Sequence, residues 1–136
     1  MPIPLRVVSV ERSLFEGEAD FIIATGTHGE LGVLPRHAPL LSTLAPGPLT
    51  IRHGGEEEVV FVSGGFLEVL PDRVTVLADV AERPDDISVE AAESARRHAQ
   101  EQLAGQLTPE QQAEMEAILA VAEARLRFVT ELRKSR

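Results

Sequence analysis

The chain has 136 residues, 43% of them hydrophobic and 26% charged, with no cysteine and a formal net charge of −9. That length and composition suit one domain, or a small domain with an appendage, and exclude a disulfide framework, a thiol nucleophile and cysteine-ligated zinc. The acidic balance argues against a general nucleic-acid binder, and neither a signal peptide nor a window of ~18 apolar residues is found, so a soluble, intracellular chain is expected.

In chain order, LRVVSV (5–10), ADFIIAT (19–25), PLTIR (48–52), EVVFV, GFLEVL (65–70) and RVTVLAD (73–79) predict strands, being short, rich in β-branched residues and bounded by turn signals. HGGE before Glu57 and the Pro-Asp before Arg73 are hairpin-type connections. Gly64-Gly65 fits a bulge or tight corner better than a phosphate cradle, because no helix start follows it. Between these strands lies GELGVLPRHAPLLSTLAPGPLTI (29–51), an apolar stretch with three glycines and four prolines whose only charges are Glu30 and Arg36. Neither a long helix nor a central strand tolerates so many breakers, so this segment reads as broken apolar backbone. Many short strands without helix predict an antiparallel sandwich or barrel over residues 1–84.

The character changes near Arg83–Pro84. Ile87, Ala91, Ala95, His98, Ala99 and Gln102 to Leu103 recur at helical spacing, with acids Asp85, Asp86, Glu90 and Glu93 at the start, where the helix dipole favours them. Gly105 interrupts the pattern. Thr108-Pro109-Glu110-Gln111 restarts it, with Thr108 as N-cap, Pro109 at the first helical position and Gln111 closing a capping box. The second helix carries Met115, Ile118, Leu119, Ala122, Leu126, Val129 and Leu132 on one face, so residues 85–136 are expected to form a two-helix hairpin. Nine acids stand between Asp85 and Glu123, against Arg96 and Arg97. The end of the chain reverses this: Arg125, Arg127, Arg133, Lys134 and Arg136 face Glu131 alone. Such a basic end suits either the helix dipole or an acidic partner surface.

No stretch assembles an active site. His28, His37, His53 and His98 lack metal-ligand spacing, Glu56-Glu57-Glu58 reads as a solvated hairpin tip, and no nucleophile stands beside a base. No cofactor or metal is expected, and the residues leave open a binding module, a free-standing adaptor gripping a partner with its helices, or a small sandwich enzyme.

Several ordered motifs narrow this choice: FEGEA (15–19), GELGVLP (29–35), HAPLL (37–41), SGGFLEV (63–69), VTVLAD (74–79) and, near the end, ARLRFV (124–129) with Glu131-Leu132. Together they resemble the epsilon subunit of the F-type ATP synthase over nearly the whole chain. The resemblance implies a ten-stranded β-sandwich and a two-helix hairpin. It also implies a non-catalytic subunit of the central rotor stalk. In such a subunit the sandwich binds the gamma subunit and touches the ring of c subunits, and the hairpin regulates ATP hydrolysis by folding down or extending toward the catalytic alpha and beta subunits. On this basis Glu30 and His37 belong to the ring-facing loop, and Leu40, Leu41 and Leu44 to the docking surface. Arg125, Arg127, Arg133, Lys134 and Arg136 become a basic latch. One departure is Arg36, where many relatives have glycine before the histidine.

Some bacterial members bind ATP through a motif resembling Ile-Asp-x-x-Arg-Ala. The aligned stretch here is Ile87-Ser88-Val89-Glu90-Ala91-Ala92, in which Ser88 replaces the acid and Ala91 the arginine. Only Glu82, Ile87 and Ala92 match. Helix capping by Ser88 or Asp86 is the stronger expectation.

Overall fold

The computed structural model describes residues 2–134. They divide into two compact units between Asp85 and Asp86. The first holds ten strands: β1 (Ile3–Ser9), β2 (Ser13–Ala19), β3 (Phe21–Gly26), β4 (Gly29–Val33), β5 (Leu40–Leu44), β6 (Gly47–His53), β7 (Glu56–Val62), β8 (Gly65–Leu70), β9 (Arg73–Ala78) and β10 (Ala81–Glu82). A single-turn 3₁₀ segment, Pro84–Asp86, lies at the division, and α1 (Val89–Leu103) and α2 (Pro109–Lys134) form the second unit.

The strands make one continuous ladder in the order β10-β7-β6-β3-β5-β8-β9-β1-β2, with β4 added to β3. All pairs are antiparallel except β1 with β9. This ladder rolls over itself into a sandwich close to a barrel. Side chains alternate across a strand, so each contributes every second residue to the interior. Ile3, Leu5 and Val7 of β1, Leu67 and Val69 of β8, and Val74 and Val76 of β9 line one wall. Ile22 and Ala24 of β3, Leu49 and Ile51 of β6, and Val60 and Val62 of β7 complete the core.

Several expectations need correction. ADFIIAT is not one strand: β2 ends at Ala19 and β3 begins at Phe21. The broken stretch 29–51 holds two strands that were not expected, β4 and β5, ahead of the expected strand at PLTIR, which is β6. Three of the stretch's four prolines lie outside the strands. Pro35 and Pro39 lie between β4 and β5, Pro46 precedes β6, and Pro48 occupies the end of β6 beyond its register with β3. Leu44 is 7% exposed and belongs to the core, and Leu40 packs against it, so of the three expected docking leucines only Leu41 faces outward.

The corner before β8 depends on glycine. Gly65 has φ +134°, and a Cβ there would stand 2.0 Å from the Leu77 carbonyl oxygen. The pair is thus a tight corner, where β8 approaches β9 too closely for any side chain. At the exit from the sandwich, the Arg83 guanidinium donates to the Glu58 carboxylate and to the Leu14 carbonyl, tying the chain to β7 and β2 just before the division.

In the second unit α1 and α2 pack on each other. Ser88 caps α1, its Oγ accepting the Ala91 N–H at 3.1 Å. Thr108 and Gln111 form the capping box of α2, with Gln111 N–H donating to Thr108 Oγ1 (3.1 Å) and Thr108 N–H to Gln111 Oε1 (3.0 Å). The buried residues of α1 are Ala92 and Ala99, whereas Ala91 and His98 are exposed; the helix begins after Ile87 and its inner face is turned from the expected one. In α2, Ala122 is buried as expected, but so are Ala124 and Phe128, outside the expected stripe, while Ile118 is exposed.

Candidate functional site

Strand alternation that buries Leu67, Val69 and Val76 turns Phe66 and Leu77 to the outer face of the same wall. The registers place Thr43 of β5 opposite Phe66, Phe66 opposite Leu77, and Leu77 opposite Val8 of β1. Four adjacent strands therefore present one outward row with two large apolar side chains, Phe66 at 49% and Leu77 at 51% exposure. The next outward row runs Leu41, Glu68, Thr75 and Arg6, with Leu41 69% exposed at its β5 end. An apolar centre beside a polar margin is the arrangement of a protein-docking surface. The sequence held a signal for it: Phe66 shares a face with Glu68, and Leu77 with Arg73 and Thr75, where alternation alone calls for polar residues.

The two ends of the sandwich carry different groups. Ser9, Ala78, Gly65, Leu44, Gly26 and Gly29 are successive register partners across the sheet. Val10, 93% exposed, and Glu30 follow the first and last of them, so both stand at this end. His37 does not. It lies beyond Val33, at the far end of β4, in the turn Leu34–His37 closed by the His37 N–H donating to the Leu34 carbonyl at 3.2 Å. The His37 Nδ1–H donates to the Ala38 carbonyl at 2.8 Å, and the residue is exposed. Glu30 and His37, expected in one loop surface, are separated by the length of β4. Beside His37, an open pocket of about 310 Å³ is lined by Pro2, Val33, Pro35, Val69, Pro71 and Asp72, among others.

The basic residues of α2 do not form one cluster. At ~100° per residue, Arg127 and Lys134 share a side of the helix, and Arg125 lies on another. Arg127, Arg133 and Lys134 are exposed, Arg125 is half-buried, and Lys134 stands 3.8 Å from Glu131. Arg136 lies outside the described residues. Of the residues that match the nucleotide motif, Glu82 belongs to β10 of the first unit, and Ile87 and the buried Ala92 to the second. Ser88 is engaged in capping. Among the described residues no group of three or more His, Asp or Glu is disposed to hold a metal ion, and no helix is long and apolar enough to cross a membrane.

Comparison with known proteins agrees with this architecture. Residues 2–84 match the family model described as ATP synthase, Delta/Epsilon chain, beta-sandwich domain. The ATP synthase epsilon chain of Acidithiobacillus ferridurans is 50% identical over 134 residues, covering 98% of this chain and 95% of the relative. That of Chromohalobacter salexigens is 47% identical over 129 residues, covering 94% and 92%. In fold, the chain is similar to one in the Euglena gracilis mitochondrial ATP synthase structure of OSCP, F1 and c-ring, with a TM-score of 0.78 at 24% identity, covering 90% of this chain and 78% of that one. The sandwich, the helical pair and full-length identity to named epsilon chains lead to one conclusion: the chain belongs to the ATP synthase epsilon chain family, whose members are non-catalytic subunits of that complex and not enzymes on their own.

Proposed function

We propose that this chain is a rotor-stalk subunit of a proton-translocating ATP synthase on the cytoplasmic face of a bacterial plasma membrane. In this role it couples rotation of the c-subunit ring to the catalytic head and restrains ATP hydrolysis. The observation that carries the reading is the outward row of Phe66 and Leu77 beside Leu41, apolar surface suited to permanent burial against another subunit. A gamma-type subunit is the proposed occupant. The end bearing Val10 and Glu30 meets the ring, and His37, at the far end of β4, belongs to the gamma side instead. Residues 1–84 thus act as the docking domain and 85–136 as the regulatory one, meeting the alpha and beta subunits when extended.

The basic groups of α2 contribute to this regulation collectively. Each exposed pair is worth only ~0–1 kcal/mol, but several together bias a two-state hairpin by a few kcal/mol, enough to shift its population strongly.

Two measurements on the assembled synthase test the proposal. Tagged chain purified from membranes should bring gamma-type and ring subunits with it; elution alone would favour a free-standing adaptor. Deleting residues 86–136 should leave assembly and ATP synthesis largely intact while ATP hydrolysis rises. Neutralising Arg125, Arg127, Arg133, Lys134 and Arg136 together should reproduce part of that rise, more visibly at low salt. Unchanged hydrolysis in the truncated complex would remove the regulatory role and leave the docking role standing.

A further inference from the structure

The turn Leu34–His37 places Pro35 second and Arg36 third, and Arg36 has φ 67°. A four-residue turn with proline second and positive φ third is of type II, which ordinarily takes glycine at the third place. There an L side chain brings its Cβ against the neighbouring carbonyl, and the backbone is strained. Among the described residues Arg36 is the only one other than glycine with positive φ.

Strain of this kind persists where something compensates it, yet among the described residues nothing does so. Arg36 is exposed. Among the described residues it makes no hydrogen bond, ion pair or ring contact, and Asp72, which lines the same pocket, is not paired with it. The turn leads through Ala38 and Pro39 directly into β5 and the exposed Leu41. Arg36 thus stands five residues before Leu41, beside the pocket at that end of the sandwich, where a subunit seated on the outer face would meet its polar rim and where arginine is enriched.

We infer that Arg36 is a partner-recognition residue, pairing with a carboxylate of the subunit that seats on the outer face of β5, β8, β9 and β1. A planar guanidinium matches a carboxylate with two parallel N–H···O bonds, which lysine cannot reproduce. A polyanion such as nucleic acid is disfavoured as occupant by the chain's net charge of −9. The inference rests on the proposed docking of a gamma-type subunit to this face and adds the chemistry that this subunit must present.

The test uses the full chain, titrated with the purified gamma-type subunit. Arg36→Gly removes strain and side chain together, so the isolated variant should melt higher, by about 4 °C. It should bind about 10-fold more weakly. Arg36→Glu should bind more weakly still, Arg36→Lys should retain part of the affinity, and the losses should shrink at high salt. The double substitution Phe66→Ser with Leu77→Ser serves as the control on the face itself. If that control weakens binding while Arg36→Gly binds as the original chain does, the arginine inference is overturned and the docking reading survives. If the control binds normally, the face is not the docking surface and both fall. A lower melting temperature for Arg36→Gly would mean that the arginine is compensated inside the chain, which also overturns the inference.

Discussion

The sandwich buries Leu5, Ile22, Leu49, Ile51, Leu67 and Val76 behind a continuous ladder of strands, whereas the helical pair buries Ala92, Ala99, Ala122, Ala124 and one large side chain, Phe128. Each fully buried branched aliphatic contributes roughly 1.5–3 kcal/mol, against well under half of that for an alanine methyl. The first unit thus holds itself together through many redundant contacts. The second depends on close approach of two helix axes, on its caps and on Phe128. Of the two, the helical pair is the unit that can rearrange at the smaller free-energy cost, and the sandwich is the more firmly held. Substitutions in the two units should accordingly fail in different ways.

The largest effect belongs to the sandwich. Gly65→Ala forces a Cβ to 2.0 Å from the Leu77 carbonyl oxygen on a backbone at φ +134°. Relief requires parting β8 from β9 in the middle of the sheet order, and the expected loss exceeds about 4 kcal/mol. Amide hydrogen exchange should show protection collapsing across β1, β5, β8 and β9 together. Loss confined to the residues flanking the corner would show that the sandwich is less cooperative than this comparison requires.

Phe128→Ala comes next and should separate the units. Truncating a buried phenylalanine costs about 3–5 kcal/mol, and among the described residues the other fully buried side chains of the helices are all alanines. The helical circular dichroism signal should fall, or melt in an earlier separate transition, while the exchange protection of β6 to β9 stays as it was. A single transition shifted as a whole would mean that the two units unfold as one.

How much of this could be read from the sequence follows the same division. Runs such as RVTVL and GFLEVL declare strands locally, because branched residues alternate with polar ones. β4 and β5 do not. GELGV buries only Val33, and LLSTL becomes a strand because β8 pairs with it along its whole length, which is information held elsewhere in the chain. The helix caps were legible since Ser88, Thr108 and Gln111 act within a few residues of themselves. The phase of α1 was not: with so many alanines the apolar repeat is shallow, and His98 and Ala92 exchange places between the inner and outer faces on a small rotation. In the candidate site, Leu41, Phe66 and Leu77 gather only once the strand order is known. Glu30 and His37 separate because β4 lies between them, and Arg36 acquires its meaning from a dihedral angle that composition does not reveal.

The smallest effect sharpens the comparison most. Thr108→Ala removes the hydroxyl that accepts the Gln111 N–H and leaves Gln111 Oε1 facing a backbone N–H without its reciprocal partner. Losing an N-cap costs about 1 kcal/mol, little for the sandwich but a sizeable share of what the helical pair has in hand. The substitution lies in the connection between α1 and α2, and Thr108 itself is exposed, so packing is not disturbed. If the helices are the marginal unit, exchange should quicken through the first turns of α2 and the sandwich should be unaffected. Thr108→Asp restores an N-cap acceptor and adds a negative charge at the positive end of the helix dipole, so it should recover the loss. Equal melting of all three chains would show that the helical pair has stability to spare, and its alanine seam would then hold the hairpin in one state.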